Sequence, residues 1–276
     1  MGFGDLIWIF FIFVTLQPLL RQRVLVLLRQ RKIGQIQALR GTRVITLVHR
    51  QETMRLLGFP LMRYIDMDDS EAVIRAIHQT DPATPLDIIL HTPGGLVLAA
   101  LQIARALRRH PAAVTVFVPH VAMSGGTLIA LAANQIVMCD HSVLGPIDPQ
   151  VKTYPAASLL KVVKDKPITE IEDETLILAD IGAKATEQVR RACVDLLTDR
   201  MPREKAEELA QTLTSGRWTH DYPITAEEGT SLGLKVSTAM PEEVLDLIAL
   251  YPQAMRPAPT VEYLPTPPRP PVRKTQ

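Results

Sequence analysis

Ser124 is the residue best placed for nucleophilic chemistry. It stands in the run His120-Val121-Ala122-Met123-Ser124-Gly125-Gly126-Thr127. Ahead of it, Ala112 to Pro119 is short, β-branched and uncharged, which predicts a buried strand. Behind it, Thr127 to Ala133 is small, apolar and free of proline, which predicts a buried helix. A serine at such a strand-to-helix turn has its hydroxyl beside the free N–H groups of a helix N-terminus, where negative charge is stabilised. Gly125 and Gly126 keep the approach open and let the backbone come close to a ligand. The chemistry this arrangement serves is acyl transfer, with an oxyanion site next to the nucleophile. The same serine is also compatible with a plain helix N-cap, so the turn alone leaves both readings open.

A second stretch repeats the pattern. Leu86 to Leu90 reads as a strand and runs through His91-Thr92-Pro93-Gly94-Gly95 into Leu96 to Arg108. The last segment has helical spacing at Leu98, Leu101, Ile103, Ala104 and Leu107. Two strand–glycine–helix units in tandem imply neighbouring parallel strands whose turns share one sheet edge, where sites of α/β folds gather. Gly94 or Gly95, together with Gly125, are the candidate oxyanion donors. A serine also needs a group to take its proton. His120 and His91 end the two strands, and His220 with Asp221 sits in a polar loop; each is also readable as a satisfied turn or strand-end histidine. His49 and His141 read as structural.

Thr92-Pro93-Gly94-Gly95, Ala122-Met123-Ser124-Gly125-Gly126 and Ala132-Ala133-Asn134-Gln135-Ile136-Val137-Met138 resemble the Clp-protease/crotonase superfamily. The resemblance is to its signal-peptide-peptidase-like serine peptidases, and within them to the serine dehydrogenase proteinase family. It covers roughly Val44 to Leu250 and includes Ser215-Gly216-Arg217-Trp218-Thr219. It implies an α/β fold, the Clp/crotonase-like ββα superhelix with a parallel sheet. The Clp-type histidine would fall near Ile147-Asp148, where this chain has none. The signal-peptide-peptidase branch uses a lysine, and the counterpart is Lys184 in Asp180-Ile181-Gly182-Ala183-Lys184, with Lys161, Lys164 and Lys166 as alternatives. A lysine is a base only if burial depresses its pKa. The resemblance further implies no metal, no nucleotide or other cofactor, and a homo-oligomer with enclosed sites.

The elements that must hold these residues occupy most of a 276-residue chain, enough for one α/β domain with extensions. A formal charge of +1 without a basic domain gives no sign of nucleic-acid binding. The two cysteines, Cys139 and Cys193, have no paired spacing and read as free thiols. At the N-terminus Leu6 to Leu20 carries no charge and is followed by Arg21, Arg23, Arg29, Arg31 and Lys32. Charges after the apolar run, rather than before it, predict an uncleaved single-pass anchor in the cell membrane with a cytoplasmic catalytic domain. The division expected is an N-terminal membrane anchor helix over 1–22, a juxtamembrane basic segment over 23–42 interrupted at Gly34, the peptidase domain over 43–251, and a disordered proline-rich tail over 252–276. Further helices are expected over Asp69–Gln79, Tyr154–Lys166, Glu174–Asp199, Glu204–Leu213, Thr225–Leu232 and Pro241–Leu250.

The function these features imply is a membrane-anchored, ATP-independent serine endopeptidase acting on peptides or membrane-protein segments through Ser124 and Lys184. Two alternatives stand beside it. One is crotonase-like acyl-coenzyme A chemistry on the same fold, and the other is a peptidase-like scaffold that assembles with membrane partners.

Overall fold

The computed structural model describes residues 3–49, 55–56, 59–60 and 63–251. In chain order the elements are α1 (Phe3–Arg40), β1 (Arg43–Val48), β2 (Arg55–Leu56), β3 (Phe59–Pro60), α2 (Met67–His78), β4 (Leu86–His91), α3 (Val97–Arg109), β5 (Val114–Val118), β6 (Val121–Ala122) and α4 (Gly125–Leu131). There follow β7 (Gln135–Met138), β8 (Val143–Leu144), β9 (Gln150–Val151), β10 (Tyr154–Pro155), α5 (Ala156–Asp165), α6 (Asp173–Leu197), α7 (Arg203–Thr214), β11 (Ile224–Thr225), α8 (Ala226–Ser231), β12 (Val236–Ser237) and α9 (Glu242–Ala249).

The organising sheet is five-stranded, with order β1-β4-β5-β7-β12 and parallel pairing throughout. β4 is buried at every position, as a strand covered on both faces must be. Its one charge, Asp87, is neutralised where it sits: Arg40 Nε donates to it at 2.5 Å and the Thr42 hydroxyl at 2.7 Å. One face of the sheet packs Ile45, Ile88 and Val116 against α2, α3 and the later helices, through Ile77, Ile103, Leu107, Val189 and Leu209. The other face packs Val44, Ile89, Phe117 and Val137 against Ile36 of α1 and Val244, Leu247 and Ile248 of α9. The two expected strand–glycine–helix units are β4–α3 and β5–α4. Both glycine turns lie at the C-terminal edge of adjacent strands, and a bridge between Thr92 and Ala122 joins them.

The N-terminal expectation needs correction. α1 is one continuous helix of 38 residues, and Gly34 does not interrupt it. Its C-terminal part belongs to the domain: Ile36 is buried, Lys32 pairs with Asp246 at 2.8 Å, and Arg29 lies 4.7 Å over the Tyr251 ring. Among the described residues no helix is long and apolar enough to cross a membrane, which overturns the single-pass anchor and the membrane localisation drawn from it. The reason is length. An uncharged run from Leu6 to Leu20 spans about 22 Å of helix, against about 30 Å of hydrocarbon, and Arg21 and Arg23 follow at once.

Smaller differences have local causes. α2 starts at Met67, two residues before the expected Asp69, because Asp66 and Asp69 form a reciprocal capping box. A second sheet of order β11-β8-β6 is built from two-residue strands, too short for any alternation to show. The proline-rich tail over 252–276 lies outside the described residues.

Candidate active site

Ser124 lies between β6 and α4 with φ 51° and ψ −113°. A positive φ at a non-glycine residue costs on the order of 1–3 kcal/mol and persists only where the surroundings impose it. Here they do. Met123 N donates to Thr92 O at 3.0 Å, Gly126 N to Met123 O at 2.7 Å and Leu128 N to Ser124 O at 3.0 Å. Thr127, fully buried, has its hydroxyl 2.8 Å from the carbonyls of both Ala122 and Gly145. Ser124 holds the N-cap position of α4, yet its side chain makes no cap hydrogen bond. The serine therefore occupies a strained strand-to-helix turn with its hydroxyl uncommitted, the arrangement of a nucleophile elbow.

The second glycine turn packs directly on this one. A Cβ on Gly94 would stand 2.8 Å from Ser124 Cβ, and one on Gly95 would stand 2.3 Å from both N and O of Ile65. Gly94 and Gly95 also have φ of 111° and 155°, which only glycine adopts readily. The Gly94 N–H is taken by Thr92 Oγ1 at 3.2 Å, and the Gly94 carbonyl accepts from Ile65 N at 2.8 Å. Gly94 is therefore not a free donor. The amides of Gly95 and Gly125 carry no hydrogen bond within the protein among the described residues. They are close neighbours, since a Cβ on Gly125 would lie 3.5 Å from Gly95 N. Of the expected oxyanion candidates, Gly95 and Gly125 have amides to offer, while Gly94 supplies the close approach.

His220 and Asp148 meet across the small sheet. His220 Nδ1 lies 2.8 Å from Asp148 Oδ1, and Gln150 Nε2 donates to Asp148 Oδ2 at 2.7 Å. Asp148 is 3% exposed. Its hydrogen bond to the imidazole, outweighing partial burial, raises the His220 pKa above the ordinary histidine value. Chain geometry carries the pair towards the serine. β8, just before Asp148, pairs with both β6, which leads to Ser124, and β11, which follows His220. The Asp148 loop touches the nucleophile's neighbour, because a Cβ on Gly145 would stand 2.4 Å from Met123 Cε. The His220 loop is braced by Trp218 stacked on Tyr222, with centroids 4.8 Å apart. Ile147 N donates to Leu213 O at 2.8 Å, tying the two loops at their bases.

The other expected site residues are placed differently. Lys184 is on the solvent face of α6, its side chain 68% exposed and its amine on Asp180 Oδ2 at 2.5 Å. The burial that a Ser124–Lys184 pairing requires is absent at this position. Lys161 is equally exposed and paired with Asp165, while Lys164 and Lys166 lie at the exposed end of α5. His91 and His120 stand together at the strand ends, with ring centroids 5.6 Å apart; His91 is buried and His120 exposed. Asp148 was not among the candidates read along the chain, because its contact with His220, 72 residues away, shows only in the folded structure. The signal present was an acid in the Pro146-Ile147-Asp148-Pro149 turn beside the serine unit. Cys193 is fully buried, which pushes its thiol to about 12, and Cys139 is partly buried; both are free. Among the described residues no group of three or more His, Cys, Asp or Glu is arranged to hold a metal ion.

Two proteins of Methanocaldococcus jannaschii, both described only as uncharacterized, are close relatives. MJ0137 is 50% identical over 260 residues, covering 94% of this chain and 91% of its own length, and MJ1495 is 48% identical over 261 residues, covering 95% and 88%. Among solved structures, the 1510-N membrane-bound stomatin-specific protease matches in two mutant forms, one of them with a substrate peptide. Both show 22% identity and a TM-score of 0.45. They cover 67% and 66% of this chain and 79% and 74% of theirs, a likeness too distant to carry an argument. The family model of the ClpP-like SDH-type serine proteinases matches residues 2–276. The chain belongs to that family and is a serine peptidase.

Proposed function

We propose that the protein hydrolyses peptide bonds through an acyl-enzyme on Ser124, with His220 as general base and Asp148 as its orienting acid. The observation that carries this reading is Ser124 itself, held at φ 51° with no capping role beside two unspent amides. With Nδ1–H donated to Asp148, the neutral imidazole has Nε2 as its acceptor. Nε2 takes the Ser124 proton as Oγ attacks the scissile carbonyl carbon. The developing oxyanion accepts hydrogen bonds from the N–H groups of Gly95 and Gly125. Collapse of the tetrahedral intermediate breaks the C–N bond, and the departing amine takes the proton from Nε2. A water, deprotonated by the same nitrogen, then attacks the ester, releases the carboxylic acid and returns the proton to Ser124. Serine, acid and histidine follow in that chain order, as in α/β-hydrolases; roles and geometry define such a triad, not order.

Labelling by a fluorophosphonate probe tests this. Wild type should label and Ser124→Ala should not. Asp148→Asn should label at least about a thousandfold more slowly, because the wrong tautomer is then favoured. Labelling that survives Ser124→Ala would discard the reading. Self-association is a further part of the proposal. Val162, Ile168, Ile177 and Ile181 leave an exposed apolar strip along α5, the turn after it and α6, as an interface between copies would use. Sedimentation velocity, wild type against Ile177→Asp, checks it: a smaller particle is expected, and an unchanged one rejects that interface.

A further inference from the structure

A polar chain that the steps above do not use lies beneath the Pro93-Gly94-Gly95 turn. His49 has a side chain only 4% exposed, with Nε2 3.1 Å from Asp69 Oδ2 and Nδ1 3.0 Å from Thr92 Oγ1. Thr92, fully buried, accepts from Gly94 N at 3.2 Å through the same oxygen. The donors and acceptors along this line have one consistent direction. A carboxylate only accepts, so the neutral imidazole gives its Nε2–H to Asp69 and keeps Nδ1 as an acceptor. The Thr92 hydroxyl then donates to Nδ1 at 3.0 Å rather than to the Gly94 carbonyl at 3.3 Å, and is left to accept from the Gly94 N–H. Burial, outweighing the pull of Asp69, holds the His49 pKa below the ordinary histidine value and so keeps the ring neutral.

Thr92 is also the point where the two glycine turns meet. Its N–H donates to Val121 O at 3.0 Å and its carbonyl accepts from Met123 N at 3.0 Å. A Cβ on Gly126 would stand 2.6 Å from its methyl group. The orientation of the next peptide unit follows from the same contacts. The Gly94 carbonyl points at Ile65 N. In a trans peptide the N–H of Gly95 points opposite to that carbonyl, away from Ile65, and Gly95 N lies close to Gly125.

We propose that His49, oriented by Asp69, is a positioning residue for the oxyanion turn. Through the Thr92 hydroxyl it holds Gly94 so that the Gly95 N–H faces the substrate carbonyl oxygen at Ser124. The proposal rests on the Ser124 acyl-transfer reading, and it assigns work to three side chains, His49, Asp69 and Thr92, that never touch substrate. Thr92→Val keeps the shape and removes the hydroxyl; Thr92→Ser keeps the hydroxyl; His49→Phe removes the acceptor and fills the space.

The test uses the full chain, a peptide ester substrate and a peptide aldehyde that forms a hemiacetal with the serine. Thr92→Val and His49→Phe should each lower kcat by about a hundredfold, the cost of misplacing one oxyanion donor. KM should stay within about threefold, because the lost interaction acts on the transition state and not on ground-state binding. Aldehyde affinity should fall with kcat, Thr92→Ser should recover most of it, and the double variant should be little worse than either single one, as for residues of one network. Thr92→Val with wild-type kcat and aldehyde affinity overturns the proposal, whatever its melting temperature, and so does Thr92→Ser falling as far as Thr92→Val. If His49→Phe fails to fold, the Thr92 pair still decides. Ser124→Ala separates the two ideas. If it stays active, the acyl-transfer reading falls and this proposal with it. If it is dead while Thr92→Val is fully active, only the relay is lost.

Discussion

Among the described residues two histidine–aspartate pairs of nearly equal length have pKa shifts that run in opposite directions. In the His220–Asp148 pair the acid is the buried partner, 3% exposed against 35% for the imidazole side chain. Its hydrogen bond dominates, and the His220 pKa rises. In the His49–Asp69 pair the histidine is the buried partner, 4% against 24%. Desolvation dominates, and the His49 pKa falls. The same two functional groups, 2.8 and 3.1 Å apart, thus give a proton acceptor that charges readily and one that stays neutral. Which partner the fold buries decides between a base that must cycle its proton and a ring that must hold one tautomer.

Breaking the first pair should have the largest effect. His220→Ala and Asp148→Asn are each expected to lower kcat by about 10⁴-fold, the scale of losing a triad member or its tautomer, measured as steady-state hydrolysis of a peptide ester. If Lys184→Ala proves as damaging while His220→Ala stays active, the assignment of the base is wrong. Blocking the oxyanion turn comes next. Gly95→Ala forces a Cβ onto the Ile65 backbone and should cost about 10²–10³-fold in kcat; unchanged turnover would show that Gly95 is not a donor.

The pH response sharpens the comparison further. Only neutral His220 accepts the serine proton, so activity should rise with pH through a midpoint above the ordinary histidine value of about 6.5. The residual activity of Asp148→Asn should show that midpoint moved down. A wild-type midpoint below 6.5 would contradict the pairing.

Stability should move in opposite senses at the two pairs. His220 is protonated more readily in the folded state, so its contribution is fully present below the unfolded pKa and lost as pH rises through the raised folded value. His49 takes up its proton more readily when unfolded. Its neutral burial therefore costs stability as pH falls from the unfolded pKa towards the depressed folded one. Melting temperatures across pH 5–8 should lose the acid-side decline in His49→Phe and keep it in His220→Ala; the reverse would mean the two shifts are misassigned. The smallest effect is expected at Lys184→Ala. An exposed i,i+4 pair is worth only a few tenths of a kcal/mol, so both turnover and melting temperature should stay close to wild type.

The parts of this protein that could be read along the chain are those whose cause is local. Leu86 to His91 and Val114 to Val118 are strands because their side chains suit a sheet covered on both faces, and the following glycines mark turns packed so closely that a side chain would obstruct them. Ser124 stood out for the same reason, since its flanking residues alone place it between a strand and a helix. The regions that escaped such reading depend on what lies opposite. Asp148 and His220 are 72 positions apart, and His49 and Thr92 are 43 apart. No spacing rule connects either pair. Lys184 had apolar neighbours in the chain, but Ile181 and Ala183 are exposed beside it on the outer face of α6, because a helix buries only one of its faces. The N-terminal run is apolar by composition, yet α1 continues past it and docks Ile36, Lys32 and Arg40 onto the domain. Local sterics and solvation set the turns and strands; which acid meets which histidine, and which one is dry, is decided only when distant segments pack.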